Sequence, residues 1–276
     1  MKNSLVNRLK QFPILDPNLP DRIVRGVCAL AIMTKAPEAG RVKTRLVPPL
    51  TPEEAAELNK CFLRDTASAI SVCCSGALRP PNAAGAPPHP GALGAPIQCS
   101  GIAVYTPVGA ESAYTDILSS DFSLLPQRGD KFGDRLFFAV EDLFECGFDS
   151  VCLIDSDSPT VSAEHFAKAV EMLSTGKDRA VLGPSDDGGY YLIGVKKPHR
   201  QLFEQIDWST ERVLNQTIQR ASELGLEVQL LPSGYDVDDV AGLKRLCDEL
   251  LGENARAGKA PNTKKFLVSL AAQNKL

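Results

Sequence analysis

The chain has 276 residues, 43% of them hydrophobic and 23% charged, the balance of a folded globular protein and not of a disordered or fibrous one. Thirty Lys and Arg stand against 34 Asp and Glu, a formal charge of −4, so no overall field draws the chain to nucleic acid or to anionic lipid. No apolar run reaches membrane-spanning length, and the N-terminal stretch lacks the apolar core of a signal peptide, which points to a cytoplasmic protein.

In chain order, residues 1–22 read as an N-terminal extension. Val24–Met33 is a continuous apolar run of buried-strand type. A basic loop follows, and then Thr51-Pro52-Glu53-Glu54 opens a helix to about Ile70, with Thr51 as N-cap and Glu54 closing a capping box. Residues 75–98 are rich in Gly, Ala and Pro and cannot build a helix or a central strand, so they read as an insertion within one domain spanning 23–252. Strand character resumes at Ile102–Tyr105. A short helix near Glu111–Leu118, a strand at Ser123–Leu125 and an amphipathic helix at Asp134–Cys146 come next.

Ser150–Ile154 is an apolar strand that runs directly into Asp155-Ser156-Asp157. Ser162 is placed to cap a helix through Leu173. Arg179–Leu182 and Tyr190–Val195 are strands around a polar, Gly-rich turn. Thr210–Leu224 is a helix ended by Gly225. Glu227–Leu231 is the last strand, followed by a helix through Leu250. Residues 253–276 form a polar tail with a helix at Lys264–Ala272. Strands alternating with helices give an α/β fold: a mainly parallel sheet with helices on both faces.

The eight cysteines include no C-x-x-C pair and read as reduced thiols, with the vicinal Cys73–Cys74 as a conceivable soft-metal or metalloid pair. The three histidines have no partner at metal or triad spacing and read as surface or packing residues.

In a parallel sheet, ligands bind beyond the carboxyl ends of the strands, so the residues following each strand carry the functional expectation. Lys35 to Arg45 holds four cations in eleven residues, suited to phosphate, with Lys35, Gly40, Lys43, Thr44 and Arg45 as its candidates. It is not a Walker A loop. Asp155 and Asp157 end a middle strand. Two residues apart, both could face one Mg²⁺ or Mn²⁺, or Asp155 could cap its own turn and leave Asp157 as the ligand. Asp236-Val237-Asp238 offers a second ligand, Asp238, or a helix N-cap. Asp186 and Asp187 could bind sugar hydroxyls or act as base, beside Gly188, Gly189 and Tyr190, which let a substrate approach closely. Gln127, Gly133 and Arg135 lie in a Gly-punctuated loop suited to a base or ribose. Trp208, the only tryptophan, either stacks on substrate or packs.

Together these segments resemble a family of bacterial transferases with a GT-A-like, nucleotide-diphospho-sugar transferase fold, which includes arsenosugar-biosynthesis-type glycosyltransferases. The matching stretches are Lys35-Ala36-Pro37 with Gly40 to Leu46, Gln127 to Arg135, and Ser156-Asp157-Ser158-Pro159. Gly183-Pro184, Asp187 to Gly194, Trp208-Ser209-Thr210 and Asp236-Val237-Asp238 complete the set. The fold is also similar to that of phospholactate and molybdenum-cofactor guanylyltransferases. Asp155 stands where the pattern has a small residue, and both the 75–98 segment and the N-terminus are longer than the pattern.

The resemblance implies a metal-dependent glycosyltransferase, with a nucleotide-sugar and a small acceptor as its partners. The nucleotide would lie under the Lys35–Arg45 loop and the metal on Asp157 and Asp238. Nucleotidyl transfer from an NTP to a sugar or acid phosphate uses the same groups and is the alternative. Val151–Asp157 also resembles the strand-plus-D-x-D start of haloacid-dehalogenase-type phosphatases, where Asp155 would be the nucleophile. A nucleotide-binding protein without catalysis is the remaining reading.

Overall fold

A computed structural model describes residues 12–19, 26–77, 98–253, 255–273 and 275. Among the described residues, seven strands form one sheet, in the order β3-β2-β1-β4-β6-β5-β7. They are β1 (Cys28–Lys35), β2 (Cys99–Thr106), β3 (Ser123–Pro126), β4 (Ser150–Ile154), β5 (Arg179–Pro184), β6 (Tyr190–Val195) and β7 (Glu227–Leu230). All neighbouring pairs are parallel except those of β6, which runs antiparallel to both β4 and β5. The mainly parallel α/β architecture expected from the sequence is therefore present. The reversal of β6 has a consequence for the site. The β5–β6 turn, residues 185–189, lies on the edge where β1 and β4 end.

Among the described residues, six α-helices surround the sheet: α1 (Pro52–Cys74), α2 (Phe132–Glu145), α3 (Ala163–Leu173), α4 (Val213–Glu223), α5 (Val240–Leu251) and α6 (Pro261–Ala271). Side chains of β1 alternate between faces, as a pleated strand requires. Cys28, Leu30 and Ile32 pack with Leu63, Ile70 and Phe166 of α1 and α3, while Ala29 and Ala31 pack with Leu136, Val140 and Leu143 of α2. Burying both faces explains why β1 and β4 read as unbroken apolar runs. The far side of α1 (Leu58, Phe62) is covered by Leu246 and Leu250 of α5 and Leu267 of α6. Helix α1 has 23 residues and continues past Ile70 to Cys74, with Cys73 buried in the first of these clusters.

The capping box at Thr51 and Glu54 forms as the sequence predicts, worth about 1 kcal/mol. Gly225, at φ +68°, takes the left-handed turn that ends α4. Ser162 departs from expectation, since its side chain makes no cap bond and its hydroxyl pairs with His165 Nδ1 at 2.9 Å. Helix α4 begins at Val213 rather than Thr210, because the Thr210 hydroxyl bonds the Asp207 carbonyl at 2.7 Å and holds a separate turn.

The reduced-thiol reading is corrected at one pair, for Cys74 and Cys99 form a disulfide across the ends of the 75–98 segment. Cys28, Cys61, Cys73, Cys146, Cys152 and Cys247 are free. Most of the 75–98 segment and most of the expected N-terminal extension lie outside the described residues, as does the start of the expected strand at Val24; the described strand starts at Cys28. Among the described residues no helix is long and apolar enough to cross a membrane.

Candidate functional site

The loop after β1 turns through Gly40, at φ +74°, and brings Lys43 inward on a backbone that is itself left-handed, at φ +47°. Three residues beyond the carboxyl end of β4, Asp157 faces the same point. The Val237 amide donates to the Asp157 carbonyl at 3.0 Å, which sets Asp236 and Asp238 alongside. Lys43 Nζ lies 2.8 Å from Asp157 Oδ1 and 2.8 Å from Asp238 Oδ1, and donates to the Val237 carbonyl at 2.8 Å. The lysine side chain is 4% exposed, whereas the two carboxylates are 31% and 48% exposed. One buried cation therefore underlies two accessible anions.

The charges respond to this arrangement. Burial works against the Lys43 ammonium, but Asp157 and Asp238 outweigh it and hold its pKa above the ordinary value. Asp238 is raised by burial and lowered more by Lys43 and Arg45, so it ionises more readily than a free carboxyl. Asp155 behaves in the opposite way. Burial first, and the charge of Asp157 second, push its pKa to about 8. Its Oδ1 accepts from the amides of Asp157 and Ser158 at 3.3 and 3.2 Å, and its Oδ2 from the Ser158 hydroxyl at 2.7 Å. Asp155 thus takes the turn-capping alternative, and Asp157 is the carboxylate turned outward.

These groups line a cavity of about 600 Å³. Of the residues singled out in the sequence, Lys35, Lys43, Thr44, Arg45, Asp155, Asp157, Asp187, Gly189, Tyr190, Trp208 and Asp238 line it. Asp186 and Asp187, adjacent in sequence, part company. Asp187 lines the cavity and accepts the Gly189 amide at 2.9 Å. Asp186 pairs with Arg245 at 2.8 Å and accepts the Ser233 hydroxyl at 2.9 Å, so it is not a cavity group. The Ser233 hydroxyl and Arg245 hold its pKa below the carboxyl norm.

In the Gln127–Arg135 loop, Gln127 and Arg135 bond to neighbouring backbone. Gln127 Nε2 donates to the carbonyls of Thr34 and Val104, at 3.1 and 2.7 Å, tying together the ends of β1 and β2. Arg135 donates to the carbonyls of Gly129 and Asp130, at 3.2 and 3.1 Å. At Gly133 a Cβ would come within 2.6 Å of the Phe203 carbonyl and 2.8 Å of Trp208 Nε1, so its glycine lets Trp208 seat on α2. Gly188, at φ +88°, has Glu211 backbone where a Cβ would go, a packing demand rather than a substrate approach.

Lining residues such as Phe132 and Asn59 were not singled out in the sequence, which named Asp236 only together with Asp238. Phe132 is 52% exposed and meets Trp208 edge to face, with ring centroids 5.1 Å apart. Asp236 accepts the Ser185 hydroxyl at 3.2 Å, and burial, then Asp187 and Asp238, raise its pKa. Its D-x-D partnership with Asp238 was a usable signal. Asn59, buried in mid-helix, carried none.

Seven mainly parallel strands flanked by helices, with a cationic loop and acidic turns at the carboxyl edge, have a nucleotide-diphospho-sugar transferase-like fold, and the chain is an enzyme of transferase type. The profile described as "Uncharacterized protein conserved in bacteria (DUF2064)" matches residues 93–210, which is under half of the chain. A crystal structure from Desulfovibrio desulfuricans G20, provisionally named a nucleotide-diphospho-sugar transferase, is similar at 27% identity and a TM-score of 0.71. The match covers 90% of this chain and 96% of that one. The 4-diphosphocytidyl-2C-methyl-D-erythritol synthase of Anaerococcus prevotii DSM 20548 shares the fold at 13% identity and a TM-score of 0.50, covering 82% of this chain and 97% of its own. Curated protein sequences return no match.

Proposed function

We propose that the chain is a metal-dependent glycosyltransferase that moves a sugar from a nucleotide-diphospho-sugar to a small acceptor. One observation carries this reading: Lys43, from the loop after β1, lies 2.8 Å from both Asp157 and Asp238 on the wall of the large cavity. A diphosphate needs cations for its oxygens, and a divalent ion needs carboxylates; both sets converge here.

Asp157 and Asp238 would hold Mg²⁺ or Mn²⁺. Their donor set fits, because carboxylate oxygens and the Val237 carbonyl converge on one cationic centre and hard cations take oxygen ligands. The ion supplies charge neutralisation for the departing diphosphate. Lys35, Lys43 and Arg45 orient and neutralise the phosphate chain, and charge fixed in a partly enclosed site favours the state in which the leaving group gains charge. Asp187 holds sugar hydroxyls or takes the proton of the acceptor hydroxyl. Tyr190, Trp208 and Phe132 supply an aromatic wall for a ring, while Ser209 and Thr210 add hydroxyls.

Nucleotidyl transfer remains the second reading, supported by the fold shared with the cytidylyltransferase-type enzyme of A. prevotii. A phosphatase with Asp155 as nucleophile has little support, since that carboxyl is engaged in its own turn. The test is a melting-temperature panel of UDP-, GDP-, ADP- and CDP-sugars and NTPs, with and without Mn²⁺, followed by turnover with the ligand that stabilises. Stabilisation follows mass action. Release of nucleoside diphosphate from a nucleotide-sugar supports the proposal, whereas pyrophosphate release from an NTP replaces it with nucleotidyl transfer.

A further inference from the structure

An ammonium has three protons to donate, and at Lys43 all are directed to protein oxygens. They go to Asp157 Oδ1, Asp238 Oδ1 and the Val237 carbonyl, each at 2.8 Å. The ammonium lies over the Phe62 ring, with Nζ 5.5 Å from its centroid, and the residue sits on left-handed backbone that crowds an L side chain. The chain thus holds a cation at the focus of three oxygens, the point a divalent ion would use. One point does not hold both cations.

We infer that Lys43 is a built-in counter-ion that closes the metal site, and that a phosphate group opens it by drawing the ammonium away from the two carboxylates. The inference rests on the metal-dependent reading above and adds an order to it. Without phosphate, expelling the lysine leaves a buried ammonium unpaired, which is costly. With phosphate, the ammonium exchanges one set of anionic oxygens for another, and the metal takes the vacated carboxylates. Metal and phosphate then bind interdependently. Lysine suits the role because its charge is compact and its stem flexible, unlike the planar fork of arginine.

The test is equilibrium dialysis of Mn²⁺ against the full chain, with and without inorganic pyrophosphate at the same concentration on both sides of the membrane. Wild type is compared with Lys43→Met, which keeps the stem and removes the charge, and with Lys43→Gln should the first variant not fold. Without pyrophosphate, the uncharged variant should bind Mn²⁺ about tenfold or more tightly than wild type, within the usual range of coupling between sites. Pyrophosphate should raise Mn²⁺ uptake by wild type and raise it much less in the variant. If wild type and variant bind Mn²⁺ equally tightly without pyrophosphate, the counter-ion role is wrong while the metal-dependent reading stands. If neither takes up Mn²⁺ under any condition, both fall together.

Discussion

Two loops of this protein carry candidate functional side chains as sequence, and only one of them faces the cavity with its charges. Lys35–Arg45 and Gln127–Arg135 both follow strands, both are polar, and both contain glycine. In the first, Lys43, Thr44 and Arg45 line the cavity. In the second, Gln127 and Arg135 bond to backbone carbonyls, and Arg128 makes a two-pronged contact with Asp142, Nε to Oδ2 at 2.9 Å and Nη2 to Oδ1 at 2.8 Å, while lying 3.9 Å from the centre of the Phe138 ring. A polar loop in a fold must first satisfy the backbone around it. Polarity signals chemistry only where that demand is already met.

Substitution can break this comparison. Lys43→Met and Asp157→Asn should each lower turnover about 100- to 1,000-fold, the scale of losing a fixed charge at a developing anion. Gln127→Leu should leave turnover nearly unchanged and lower stability by about 1–3 kcal/mol through unpaired carbonyls. Steady-state rates paired with urea unfolding separate the two outcomes, and a rate loss in Gln127→Leu matching that of Lys43→Met would put both loops in the site.

The adjacent aspartates sharpen the contrast within a single turn. Asp187→Asn should reduce turnover about 100-fold. Asp186→Asn should change the rate little and cost at most about 1 kcal/mol, since its partner Arg245 is a half-exposed cation and exposed ion pairs contribute little. Equal rate losses in the two variants would contradict the separation. Gly188→Ala should cost about 1–3 kcal/mol, because the new methyl meets the Glu211 backbone at a positive φ; a thermal melt reads this directly.

A further effect is in pH. Asp155 has its pKa raised from 3.8 to about 8, so the folded protein binds that proton more tightly than the unfolded chain. The stability it contributes is complete below pH 4 and is lost as pH rises toward about 8. With a chelator present, the urea midpoint should carry a downward contribution across that range, which Asp155→Asn removes. An identical pH profile in wild type and variant would contradict this account.

Much of the architecture was legible because burying both faces of a strand leaves a clear trace: Ser150–Ile154 and Tyr190–Val195 have the bounds their apolar runs suggest. The cavity edge was legible too, since the end of a parallel strand fixes which residues come next. Direction was harder to read. Nothing in Asp186-Asp187 says that one turns to Arg245 on α5 and the other to the cavity, because that depends on a partner 59 residues away. The reversal of β6, the carbonyls that occupy Gln127 and the Cys74–Cys99 pair depend likewise on distant chain. Asp155 lay between these cases: both of its roles were visible, and its neighbours' amides decided between them.

Calorimetric titration of wild type and Asp157→Asn with the preferred nucleoside diphosphate, in the presence of Mn²⁺, tests the shared phosphate and metal site most directly. The account predicts saturable one-to-one binding to wild type and affinity lower by at least about tenfold in the variant. Equal affinity in the two proteins, or no heat with any of the four nucleoside diphosphates, would contradict it.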